Sequence, residues 1–158
     1  MTTPRALLLT ITHLAMLGAG FALGIYTLPL LIAPPAPDAA TLSTSAAQAS
    51  FRGQFRRDLK DSDALHWGEG EVSLGPQGIA LQGKLAPGPD YKLYLAPAFV
   101  ETEADFERLK PQMLRVGDVK TFDNFIVPLP PGVDLARYDT VIVWCESFSQ
   151  FITAAKYR

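Results

Sequence analysis

The chain has one cysteine, Cys145. It closes the apolar run Val141-Ile142-Val143-Trp144-Cys145 and is followed by Glu146-Ser147-Phe148-Ser149-Gln150-Phe151. Two readings of this thiol stand side by side. Free cysteine is among the most buried residue types and packs as a small hydrophobe. Alternatively, a thiol at the mouth of a core strand can ligate a metal or haem iron, or carry redox chemistry itself. On that second reading Glu146 and His66 are the candidates to tune the sulfur, and Trp144, Phe148 and Phe151 the candidates to shield it. A second cluster of reactive types is Asp61-Ser62-Asp63-Ala64-Leu65-His66-Trp67-Gly68-Glu69-Gly70-Glu71. Its carboxylates and imidazole are of types that bind a divalent cation, but their spacing matches no calcium loop. A solvated loop leading into a strand, with its glycines permitting a bulge, is the favoured reading.

The remaining chemistry is bounded by what is missing. There is no G-x-S-x-G, P-loop, G-x-G-x-x-G, C-x-x-C or C-x-x-C-H pattern. His66 is the one histidine beyond the N-terminal apolar run, so a His-rich zinc or copper site within one chain is not expected. These gaps speak against a hydrolase and leave enzymatic activity open.

The elements that must position Cys145 begin with an anchor. No charged side chain occurs from Ala6 to Ala33, and about 20 apolar residues suffice to cross a bilayer core. Residues 6–32 are read as a transmembrane helix with its core over 7–28, ended or bent at Pro29. The run exceeds the apolar core of a cleavable signal peptide, so an uncleaved anchor is expected. Arg5 lies before the run, and the next Lys or Arg is Arg52. The positive-inside rule therefore puts residues 1–5 in the cytoplasm and the rest outside, as in the periplasm of a bacterium whose inner membrane holds the helix. Gly20 and Gly24 form a G-x-x-x-G pair that can bring two helices together as a homodimer. Residues 33–50, rich in Pro, Ala and Ser, read as a spacer too poor in large apolar residues to order itself, holding the domain off the membrane.

Residues 51–158 are enough for one core. The chain's 14 Lys and Arg face 16 Asp and Glu, and all but Arg5 and Asp38 fall in this part. That balance offers no footprint for nucleic acid. Strand-like runs cover Leu65–Leu74, Ile79–Leu85, Tyr91–Ala96, Val119–Val127, Tyr138–Cys145 and Phe151–Tyr157. Gly75-Pro76-Gln77-Gly78 and Pro87-Gly88-Pro89-Asp90 supply turn chemistry. Thr102–Lys110 opens with Thr-x-x-Asp, a capping pattern, and predicts one short helix with a solvated acidic face. The fold class is all-β: a β-sandwich or flattened barrel with one short helical insertion, after a single N-terminal transmembrane helix.

Six segments, taken in order, resemble the DM-thirteen domain family, a small extracellular β domain often found beside haem-binding DOMON domains. They are Phe51-Arg52-Gly53, Leu65-His66-Trp67-Gly68-Glu69-Gly70, Pro87-Gly88-Pro89-Asp90-Tyr91-Lys92-Leu93-Tyr94-Leu95, Gly117-Asp118-Val119-Lys120, Asn124-Phe125-Ile126-Val127-Pro128 and Val141-Ile142-Val143-Trp144-Cys145-Glu146-Ser147-Phe148. The resemblance implies electron transfer, with Cys145 acting as a bare thiol or holding a prosthetic group such as haem. It makes Cys145 and His66 the candidate cofactor-binding residues and an envelope redox protein the expected partner. No particular cofactor, donor or acceptor is indicated. The alternative is an envelope binding or scaffolding module in which Cys145 is core.

Overall fold

The computed structural model describes residues 3–158; of the expected cytoplasmic segment, Met1 and Thr2 lie outside the described residues. The first element, α1, is one helix over Thr3–Ile32. It is long and apolar enough to cross a membrane. Pro29 does not end it but sits inside it, buried, with one further turn to Ile32.

The tract read as an unordered spacer is ordered. Helix α2, Ala39–Ala47, starts at Asp38, whose carboxylate accepts from the Thr41 N–H at 2.7 Å. Alanine is the best helix former, and such a cap satisfies one of the orphan N–H groups of the first turn. Leu42 is its single buried anchor. The tract then docks on the domain: the Ser50 N–H donates to the Leu74 carbonyl at 2.8 Å, and Arg52 donates to the Ala46 carbonyl at 2.7 Å. Ala33, at its start, packs against the main core.

Eight strands follow. β1 (Phe51–Phe55), β2 (Gly68–Gly75), β3 (Gly78–Leu85) and β6 (Asp123–Pro128) form one sheet in the order β1-β2-β3-β6. β4 (Tyr91–Ala96), β5 (Leu114–Val119), β7 (Thr140–Cys145) and β8 (Gln150–Lys156) form the other in the order β5-β4-β7-β8. Every strand pairing among the described residues is antiparallel, and the two sheets make a sandwich. The run read as a single strand over Val119–Val127 is instead two strand ends in different sheets. The chain crosses from one sheet to the other over residues 120–122. Just inside β6, Asn124 takes φ 56° and its carbonyl accepts from the Thr121 hydroxyl; asparagine is among the few residues that enter this left-handed region at low cost.

Helix α3, Glu103–Leu109, is capped by Thr102, whose hydroxyl accepts from the Asp105 N–H at 3.1 Å. Phe106 faces inward and stacks on Trp144, with ring centroids 3.8 Å apart and planes 9° apart. The β5-β4-β7-β8 sheet is therefore covered on both faces. Leu93, Leu95, Val141 and Val143 fill the space between the sheets, while Tyr94, Ile142 and Trp144 pack under α3. Such two-sided burial gives the continuous apolar sequence of β7.

Candidate functional site

Cys145 is the last residue of β7, directly opposite Tyr91, the first residue of β4. Successive side chains of a strand point to opposite faces. Cys145 therefore shares the inter-sheet face with Val141 and Val143, whereas Trp144 takes the other face. Phe151 also lies on that other face. The expected shield of Trp144 and Phe151 is thus on the wrong side of the sheet. Phe148, in the turn beyond β7, does line the cavity on which Cys145 sits. Glu146 is also turned away: its carboxylate accepts from the Tyr94 hydroxyl and from Lys110 Nζ, the latter at 2.9 Å.

What faces the sulfur is a cavity of about 470 Å³. Its walls come from three places. Tyr91, Cys145 and Ile152 belong to the sandwich, His66 and Phe148 to loops, and Ala22, Ile25 and Tyr26 to α1. No Lys, Arg, Asp or Glu lines it. Cys145 is only 2% exposed and belongs to the main core cluster. Burial pushes the thiol above its ordinary value. The backbone N–H groups of Phe148, Asp90 and Ser147 pull the other way, and the Asp90 carboxylate adds to the rise. The sulfur is therefore a protonated thiol at neutral pH, not the thiolate that attacks or ligates.

The turn that carries it is held down by Asp90. The Glu146 N–H donates to the Asp90 carbonyl at 3.0 Å, and the Ser147 hydroxyl donates to its carboxylate at 3.0 Å. Lys92 pairs with the same carboxylate at 2.6 Å and with Asp118 at 3.0 Å. Gly88 completes the Tyr91 pocket: a Cβ there would lie 2.4 Å from the Tyr91 hydroxyl. Tyr91 is 3% exposed, and its hydroxyl makes no hydrogen bond to the described residues, unlike those of Tyr94 and Tyr157.

His66 reaches the cavity from the loop before β2. Asp63 builds that loop, its Oδ1 accepting from the N–H groups of Leu65 at 2.7 Å and His66 at 2.8 Å. Its Oδ2 lies 2.9 Å from His66 Nδ1. A carboxylate only accepts, and Asp63 is held below its ordinary value chiefly by this bond, so Nδ1 carries the ring proton. In the neutral form of such a ring Nε2 is an acceptor. The other carboxylates of the segment diverge. Asp61 accepts from the Glu103 N–H, Glu69 pairs with Arg57, and Glu71 with Arg52. Among the described residues, no three His, Cys, Asp or Glu side chains converge on one point.

This fold and site sit within one recognisable family. The Electron transfer DM13 family pattern matches residues 54–157. The chain belongs to that family. No curated protein and no solved structure matches it. The DM13 match covers every strand after β1 together with His66, Tyr91 and Cys145, and leaves α1 and α2 outside. The prosthetic group implied by the earlier resemblance is not well served by this DM13 cavity. The carboxylates of haem need cationic partners, and none lines the wall. The site therefore fits an uncharged occupant better than haem. Sequence reasoning did not anticipate the wall given by α1; the one signal was Tyr26, an aromatic near the end of the apolar run, where such residues meet the membrane surface.

Proposed function

We propose that this chain is a single-pass membrane protein whose DM13 domain takes part in electron transfer or redox sensing through Cys145. The N-terminus is cytoplasmic and the domain lies in the periplasm of a bacterium, an orientation supported by Arg5 ahead of the apolar run. The observation that carries the reading is that Cys145 lines a cavity that His66 also lines. The redox partner is an envelope protein or a small molecule able to enter the cavity. Oxidation of a neutral thiol by that partner releases its proton, and the neutral His66 ring, which lines the same space, would take it up. Pairing of two chains through Gly20 and Gly24 is part of the same proposal and is checked by cysteine-independent cross-linking in membranes.

The test is Cys145→Ser in the full-length protein. The expected result is loss of redox behaviour with the domain still folded. A variant that is only less stable, with redox behaviour unchanged, refutes the proposal. One observation favours the other reading, a binding or scaffolding module: Cys145 is counted within the main core. Thiol titration with and without denaturant separates the two. A thiol that reacts only after unfolding supports the scaffold, and one that reacts in the native protein supports the redox role.

A further inference from the structure

We propose that the cavity between α1 and the sandwich binds the ring of a lipid-soluble quinol that enters from the bilayer. This rests on the reading of α1 as a membrane span and goes beyond the redox reading: it concerns binding of the reduced ring alone, with no electron passing between the quinol and the Cys145 thiol.

Depth is the first argument. With the core of the span over 7–28, Ala22, Ile25 and Tyr26 fall in its outer part. All three line the cavity, so it opens toward the bilayer and not into bulk water. Surface composition agrees. Outside α1 the exposed large hydrophobic residues among those described are Leu65, Phe99 and Phe148. Two of them, Leu65 and Phe148, line this same cavity. Apolar side chains left exposed beside a membrane span are suited to dip into the bilayer boundary.

The lining then selects the occupant. With no cationic side chain in the wall, a phospholipid phosphate finds no counter-charge. A bare acyl chain would leave the polar groups unused. Those groups are complementary in kind. The Tyr91 hydroxyl is a donor without a partner among the described residues, and with Asp63 on Nδ1 the neutral His66 ring offers Nε2 as an acceptor. A dihydroxy ring satisfies both, since one of its oxygens accepts from Tyr91 while a hydroxyl donates to His66. Pro87, Pro89 and Phe148 supply flat apolar walls, and the small Ala22 leaves an exit for a tail along α1. A volume of about 470 Å³ lies within the usual range for small-molecule sites, about 300–1,000 Å³.

The experiment uses the full chain in phosphatidylcholine nanodiscs, titrated with decylubiquinol, with ¹⁵N NMR of the two histidines, His13 and His66, as readout. A saturable shift of His66 without a shift of His13 is expected. Ala22→Trp, which fills the tail exit from the exposed surface of α1, is expected to raise the apparent Kd at least tenfold with unchanged thermal unfolding. Tyr91→Phe is expected to raise it at least fivefold. Three results overturn the proposal: no saturable shift, an equal shift with ringless dioleoylglycerol, or unchanged binding in Ala22→Trp. The redox reading fails separately. Quinol binding with no redox effect of Cys145→Ser removes that reading and keeps this one. A redox effect without quinol binding does the reverse.

Discussion

Three buried tyrosines make a series in which one atom is removed from three different settings. Tyr157 donates to the Leu135 carbonyl at 3.0 Å, Tyr94 donates to the Glu146 carboxylate, and Tyr91 donates to no described residue. Substitution by Phe keeps the ring and removes only the hydroxyl. A neutral buried hydrogen bond contributes about 0.5–1.5 kcal/mol and one to a charged group about 1.5–3 kcal/mol. Tyr157→Phe is therefore expected to cost about 1 kcal/mol, and Tyr94→Phe about 2 kcal/mol because Glu146 keeps only Lys110. Tyr91→Phe should change stability by less than about 0.5 kcal/mol. Urea unfolding of the full chain in detergent micelles, followed by the fluorescence of Trp67 and Trp144, measures all three. For a domain of about 100 residues, 1 kcal/mol corresponds to a melting shift of about 4–8 °C, so the order is resolvable by heat as well. A Tyr91→Phe loss equal to that of Tyr157→Phe would show that the Tyr91 hydroxyl is bonded within the protein and is not free to meet a ligand in the cavity.

Two further predictions concern the supports of the site. Burial works to raise the Glu146 carboxyl, but bonds from Tyr94 and Lys110 outweigh it and hold it below its ordinary 4.5. Its stabilising contribution is thus fully present above that value and is lost as pH falls through the lower folded value. Glu146→Gln should flatten the acid limb of a stability–pH curve, and an unaltered limb would contradict the assignment. Gly83 faces Gly70 across β2 and β3, and a Cβ on Gly83 would lie 2.0 Å from the Glu69 carbonyl oxygen. Gly83→Ala must therefore move backbone and should cost about 3 kcal/mol in urea unfolding; a neutral result would mean that the two strands are not so closely apposed.

The elements that could be read from sequence were those whose local signals agree. Tyr91–Ala96 alternates cleanly and is bounded by Pro-Gly-Pro-Asp, and it is β4 with those same limits. The Thr102 cap and the Phe106 stripe mark α3 at its true start. The crossing ahead of β6 was hidden because the apolar residues on either side read as one run. β1 escaped notice because Phe-Arg-Gly-Gln-Phe is short and has its partner strand more than a dozen residues away. The site was half visible. Cys145 and His66 were singled out by type, and they share a cavity. The placement of Trp144 and Phe151 was misjudged although a signal existed, since Trp144 is adjacent to Cys145 in a strand and must take the opposite face. Tyr91 and α1 were missed for a different reason. Cross-strand register and helix docking are long-range facts, and no local spacing encodes them.

The docking of α1 on the sandwich fixes more than the cavity. At about 100° per residue, Ala22, Ile25, Tyr26 and Pro29 fall within one arc of about 100°, turned toward the domain. Gly20 and Gly24 project about 180° from the centre of that arc, and a Cβ on either would meet nothing within 4 Å. A second helix settling on that glycine ridge would meet bare backbone and not the globular part of its neighbour. In such a back-to-back pair the two sandwiches would sit at opposite poles, each with its thiol-lined recess turned to its own patch of lipid.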